Sequence, residues 1–256
     1  MGAPINATTD PDSGLRFYEW NGTPLISVTS IRRVVGMPFA LANWMVNQAV
    51  DAAVARTWGE GESIEDAKKA LRKAATLQRD EAAKLGTSVH EAADLAVKAI
   101  DLPDEDPRKP FLLQYEQWQA DLSPTIRMSE RQVFSLKQGY AGSFDLIADI
   151  GKHRYLVDLK TGKGTYTDHA IQLALYMGAD FIGGYDPLTD TDVIYPEDSA
   201  IFAECDRMAI LHLRPEGYDF INIPFTDELA AAALDMVSVA RFLRDHPTID
   251  TLKGAI

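Results

Sequence analysis

A chain of 256 residues, 46% hydrophobic and 25% charged, can bury one substantial core, and one domain with helical additions is the expected organisation. No run approaches the roughly eighteen uninterrupted apolar residues of a membrane helix, and the N-terminus lacks the charged-then-apolar layout of a secretory leader, so a soluble cytoplasmic protein without a membrane partner is predicted. The formal charge of −13 weighs against nucleic acid, and the single cysteine, Cys205, excludes an internal disulfide and a four-cysteine zinc or iron–sulfur site within the chain.

Residues 1–14 are rich in Gly, Pro, Asn, Thr and Asp without periodicity, which predicts a flexible tail ahead of one domain over 15–256. Residues 15–125 are expected to be mainly helical. Leu41, Trp44, Met45 and Ala49 recur at helical spacing, and Ser63 with Asp66 has the pattern of a capping box. Leu85, Val89, Ala92, Ala93, Ala96 and Ile100 would form the apolar side of a third helix over about 79–100. The segment Leu102-Pro103-Asp104-Glu105-Asp106-Pro107 ends that pattern, and another helix is expected near 111–121.

Residues 126–256 read as the sheet-bearing core. After Ser123-Pro124, three strands are predicted at about 130–136, 143–150 and 154–160, with Gly139 and Gly142 in the first connection and Gly151-Lys152 in the second. A helix at about 167–180, opened by Thr165 or Thr167, comes next. An acidic insertion at about 182–204, strands near 207–213 and 218–223 and a helix from Thr226 to Arg244 complete the chain. Residues 180–206 carry eight acids and no Lys or Arg; setting those carboxylates aside moves the balance from −13 to −5. The distribution therefore leaves room for an anionic partner.

Asp-x-Lys is a weak pattern, expected roughly once by chance in a chain this long, and Asp66-Ala67-Lys68 matches it in a polar helix where i and i+2 do not face each other. Asp158-Leu159-Lys160 differs because Tyr155-Leu156-Val157 place it at the end of a strand, where i and i+2 share a side. The neighbouring Phe144-Asp145-Leu146-Ile147 sets a carboxylate in an apolar strand, which is costly unless compensated. Paired through the Gly151-Lys152 turn, Asp145 and Asp158 can face each other, and a divalent cation relieves two facing carboxylates. Such an ion suits phosphodiester hydrolysis, with Lys160 beside it to hold the attacking water or offset developing charge.

Taken in order, Gly86-Thr87-Ser88-Val89-His90, Glu130, Gly142-x-x-Asp145, Asp158-x-Lys160-Thr161-Gly162 and Gln172-x-x-x-Tyr176 resemble the PD-(D/E)XK nuclease superfamily. Within it they are most similar to the RecB-type branch of phage recombination exonucleases and CRISPR-associated RecB-like nucleases. The likeness covers about 86–180. It implies an α/β restriction-endonuclease-like core, a mixed central β-sheet flanked by helices, with an N-terminal helical extension. It also implies one or two Mg²⁺ or Mn²⁺ ions held by His90, Asp145, Asp158 and the Leu159 carbonyl. Lys160 would be the catalytic lysine, Glu130 an accessory carboxylate, and Gln172 and Tyr176, on one helical face, supports for Lys160 and the DNA backbone. Some members carry an iron–sulfur cluster, which Cys205 alone cannot hold. Ser27-Val28-Thr29-Ser30 with Leu41 and Trp44 is loosely similar to phage-encoded members.

The expected activity is exonucleolytic hydrolysis of linear DNA in recombination or repair, with a single-strand annealing protein as a partner and an oligomer compatible with it. A structure- or site-selective endonuclease is the second reading, because fold does not fix substrate. A non-catalytic DNA-binding or assembly module is the third, and the intact Asp145, Asp158 and Lys160 speak against it. Lys68, Lys69, Arg72 and Lys73, ahead of His90, and Lys163, after Lys160, are the expected DNA contacts.

Overall fold

The computed structural model describes residues 4–34, 39–55 and 63–252. Where composition predicts a free tail, the described residues are tied to a sheet: β1 (Thr8–Thr9) pairs antiparallel with β2 (Arg16–Trp20). The Gln132 side chain also exchanges hydrogen bonds of 2.7 and 2.8 Å with the Ile5 backbone. Asn21 and Gly22, both at positive φ, turn the chain into β3 (Thr23–Ser27), so the mainly helical segment opens with a hairpin. An Asn-Gly pair adopts the left-handed backbone that such two-residue turns need.

The Ser27 hydroxyl caps α1 (Val28–Arg32), accepting the Ser30 N–H at 3.1 Å. α2 (Phe39–Ala55) follows, with the Leu41 side chain outside the described residues. α3 (Ile64–Asp94) is one helix of 31 residues, capped by Ser63 as expected. It absorbs the first part of the helix expected over 79–100 and stops at Asp94, just before Ala96 takes a positive φ. No glycine or proline falls between Ile64 and Lys84 to divide it. α4 (Lys109–Leu122) has Pro110 in its first turn and ends at Ser123 in the left-handed region.

β4 (Thr125–Ser135), β5 (Tyr140–Ile150) and β6 (His153–Lys160) form the predicted antiparallel meander. α5 (Thr167–Met177) begins at Thr167, one of the two expected positions, with Tyr166 as its cap: the Tyr166 N–H donates to His169 Nδ1 at 3.2 Å. The stretch expected as an insertion belongs to the sheet instead. β7 (Phe181–Asp186) pairs antiparallel with β4 and with β8 (Thr191–Ile194), and α6 (Pro196–Ala203) follows. β9 (Arg207–Arg214) runs parallel to β6, β10 (Gly217–Ile223) turns back on β9, and α7 (Asp227–Asp245), capped by Thr226, closes the domain.

The result is α/β: a ten-stranded mixed sheet flanked by helices. One core packs Phe144, Ile147, Leu156, Met208 and Ile210 against α1, α5, α6 and α7, and the other packs Leu146, Ala148, Val157, Leu159 and Leu211 against α3 and α4. Two features of β5 position the site. On the edge away from β4 it pairs with β3 through Tyr140 and Ala141 and with β6 from Leu146 onward, so residues 142–145 lie between two partners. Phe144 and Leu146 also enter opposite cores, which breaks the two-residue alternation at Asp145. Among the described residues no helix is long and apolar enough to cross a membrane.

Candidate metal centre

Glu130 and Asp145 meet where β4 and β5 are both irregular. The register passes from Ser129↔Leu146 to Arg131↔Phe144, and Glu130 between them adopts φ 47°, a strained conformation for this residue type. Irregular strand positions of this kind re-aim a side chain. From the other side α3 delivers His90, and one ligand atom each of His90, Glu130 and Asp145 lies within 4.8 Å of the others.

Asp145 is the hinge of the arrangement. Continuing the β5–β6 register from Leu146↔Val157 brings it opposite Asp158, as expected. The strands part there, and Asp145 Oδ2 accepts the Leu159 N–H at 2.6 Å, supplying a partner that the ladder no longer provides. Asp145 Oδ1 stands 3.4 Å from His90 Nδ1. Leu159, whose carbonyl was the expected ligand, thus engages Asp145 through its N–H.

Asp158 is 1% exposed. Its Oδ2 meets the Lys160 ammonium, while Oδ1 has no hydrogen-bond partner among the described residues. A buried carboxylate oxygen left unpaired is expensive, and a cation is the natural compensation. Electrostatics agree. Burial pushes Asp158 up to about 6, with Lys160 opposing and Asp145 adding to the rise. Burial and then the Asp145 charge push Glu130 up to about 7. Asp145 stays below its ordinary value despite burial, because His90, Lys160 and the Leu159 N–H favour its charged form. His90 is raised, the pull of Asp145 outweighing burial. The donor set, the buried Asp158, the half-buried Asp145, the more exposed Glu130 beside them and an imidazole, fits Mg²⁺ or Mn²⁺.

α5 supports this centre from below. Gln172 Nε2 donates to Tyr176 Oη at 2.9 Å, joining the expected pair on one helical face. Tyr176 is buried against β5 at Gly142, where an added Cβ would stand 2.6 Å from its ring, so only glycine lets the helix come this close. Burial, followed by the Asp158 charge, keeps the Tyr176 phenol well above its ordinary value and protonated. Gly86 does the same for α3: a Cβ there would lie 2.9 Å from Thr161 Oγ1, next to Lys160.

Two residues of this network went unread in the sequence. Arg32 donates to Gln172 Oε1 at 2.9 Å and pairs with Asp168 at 3.3 Å. His212, buried on β9 opposite Lys160, is 2.7 Å from the Gly162 carbonyl and fixes the start of the loop after the lysine. Neither carries a periodic signal, since each is brought in by an element remote in sequence. The expected DNA contacts separate. Lys68 is paired with Glu65 at 2.8 Å, and helix geometry turns Lys69 and Lys73 about 60° and about 100° away from the His90 side of α3. Arg72 stays in line with His90, and the Lys163 ammonium lies 5.9 Å from the Trp44 ring centroid.

No family model matches the chain, and no curated protein does. Among solved structures it is similar to one described as the crystal structure of SSO0001, at 10% identity over 80% of this chain and 86% of that chain, with a TM-score of 0.33. That likeness is too loose to argue from.

Proposed function

We propose that this chain is a metal-dependent deoxyribonuclease acting on the ends of linear DNA in recombination or repair. The observation that carries the reading is the convergence of His90, Glu130 and Asp145 within 4.8 Å, beside the buried Asp158 with its unpartnered Oδ1 and its lysine. His90, Asp145 and Asp158 would hold Mg²⁺ or Mn²⁺, with Glu130 next to them and the Leu159 carbonyl as a further ligand. Such an ion polarises the phosphoryl oxygen and lowers the pKa of bound water.

The protein's own groups do the rest. Hydrolysis adds a water oxygen to phosphorus and breaks one P–O ester bond, the water's proton passing to the leaving oxygen through solvent. Lys160, held at the strand end by Asp158, is placed to hold the attacking water or to offset charge on the phosphoryl oxygens. Tyr176, hydrogen-bonded to Gln172 and kept neutral by burial and by the nearby Asp158 charge, adds no second anion beside Asp158. Arg32 and Asp168 in turn orient Gln172. The order β4–β5–β6–β9, with an antiparallel meander and a parallel fourth strand reached through α5, β7, β8 and α6, supports the restriction-endonuclease-like reading of the core. A single-strand annealing protein is the partner that end resection calls for.

The test incubates the protein with linear and with covalently closed circular DNA, in Mg²⁺ or Mn²⁺ and in EDTA, beside Lys160→Ala and Asp158→Ala. Metal-dependent loss of linear DNA alone is expected. Cleavage of circles would overturn the exonuclease reading, and activity in EDTA or full activity in both variants would overturn the site.

A further inference from the structure

Hydrolysis leaves a group of cations unused in a chain of net charge −13. Arg16 on β2, Arg32 at the end of α1, Arg33 just after it and Arg79 on α3 are near enough for the other three to act on Arg33 through their charges. The Arg16 N–H donates to Ser30 Oγ at 2.8 Å, just ahead of the two α1 arginines. Burial, and then the charges of Arg32, Arg16 and Arg79, hold the Arg33 guanidinium below its ordinary value. Arg32 is offset by Asp168 and Arg79 by Asp80, but among the described residues no carboxylate pairs with Arg16 or Arg33. Cations crowded without counter-ions repel, and an anion spanning several of them removes that cost.

Helix geometry extends the cluster into a line. On α3, residues 72, 79, 83, 86 and 94 fall within about 40° of His90 to either side around the axis, so Arg72 and Arg79 precede His90 on one face by about 27 Å and about 16 Å. Beyond His90 the same face reaches Asp94. There Glu91, Asp94 and Glu130 line a cleft of about 460 Å³ together with His90 and Asp145. The approach to the metal centre is basic and the far side acidic. Aromatic surface flanks the approach: Lys163 stands over Trp44, and Tyr166, in the same loop, is 59% exposed.

We infer that Arg72, Arg79, Arg33 and Arg16 form a one-way track for the phosphates of a single DNA strand, with its bases against Trp44 and Tyr166 and its terminus stopped at His90, because the acids beyond repel further phosphates. One line of cations with neighbouring rings suits an unpaired strand. A duplex would bring a second phosphate backbone, and the opposite wall of the cleft offers it carboxylates. The terminus at the metal centre rests on the nuclease reading; the track does not.

The experiment titrates the full chain in EDTA with a fluorescein-labelled oligo-dT of about 20 nucleotides, reading anisotropy over a range of salt concentrations. Arg33→Ala and Arg79→Ala should each weaken binding about fivefold to tenfold and reduce the salt slope by about 0.7. Arg33→Lys and Arg79→Lys should keep most of the affinity, and Lys137→Ala, in the turn between β4 and β5, all of it. A labelled duplex and a circularised oligo-dT should bind at least about fivefold more weakly. Wild-type affinity in both alanine variants, or an equal loss in Lys137→Ala, would overturn the track. Equal binding of duplex would overturn its single-strand character, and equal binding of the circle its terminus. Because no cleavage is read, a protein inactive with metal leaves the track standing, and a failed track leaves the metal centre to its own test.

Discussion

The meander β4–β6 and the helices α1–α3 contribute to one cleft by different means. The meander carries Glu130, Asp145, Asp158 and Lys160 on strands whose flanking residues are fixed by ladder pairing, with Asp158 and Lys160 also paired to β9, and extending the sheet register brings Asp145 opposite Asp158. The helices hold His90, Arg32, Arg33 and Arg79 on elements that meet only through packing, around small contacts such as Gly86 against Thr161. Anionic groups that must stay close despite repulsion lie on the stiffer frame. The cations, which act through long side chains, tolerate looser placement.

The largest test of this division is at the strand end. Asp158→Ala and Lys160→Ala should each lower metal-dependent turnover on labelled linear DNA by at least about 10³-fold while leaving oligo-dT binding in EDTA near wild type. Turnover within tenfold of wild type in either variant would move the chemistry off the meander. Next comes the seat of β5 on α5. In Gly142→Ala the new methyl meets the Tyr176 ring at 2.6 Å and Val28 at 3.0 Å, and overpacking of this kind costs about 1–3 kcal/mol. Urea denaturation that shows no loss would mean the strand is free to shift, contrary to a stiff frame.

A smaller effect follows from protonation. Asp158 at about 6 and Glu130 at about 7 lie above their unfolded values, and His90 is raised as well. Groups raised on folding contribute stability that is present below the unfolded pKa and lost as pH rises through the folded one, so in the absence of metal the two carboxyls lower stability as pH rises from about 4 to 7, and the contribution of His90 is lost only above its ordinary value of about 6.5. An ion that needs them deprotonated reverses this. The rise in Tm on adding Mn²⁺ should be larger at pH 8 than at pH 5.5, with affinity falling by more than about tenfold per unit below about pH 6 because more than one group takes up a proton there. Equal rises at both values would place the ion elsewhere. The smallest effect belongs to the helical side: Arg32→Ala, which leaves Gln172 Oε1 without its donor, should lower kcat about fivefold with KM nearly unchanged, and Arg32→Lys should recover part of it. A change confined to KM would make Arg32 a DNA contact instead.

Much of the strand half was readable along the chain. Alternating apolar residues with Gly151-Lys152 between them announce β5 and β6, and the Asp158-x-Lys160 spacing shares a side only because a strand has a period of two. The β2–β3 hairpin carried its own signal in Asn21-Gly22, which the mainly helical reading of 15–125 passed over. The acidic stretch at 182–204 was mistaken for an insertion because its pairing with β4, through Phe181, Ile182 and Gly183, is a contact across about fifty residues.

By itself, then, the sequence determined the meander, the order of the site residues and the chemistry their types allow, because these depend on local periodicity and on side-chain identity. Tertiary structure alone decided that Glu130 turns in beside His90 and Asp145, that Asp145 answers the Leu159 N–H, and that Arg32 and His212 steady the loop and helix after Lys160. It also decided which cations of α3 face the cleft. Each of those outcomes needs two elements distant in sequence to be packed together, and no local pattern encodes the angle at which they meet.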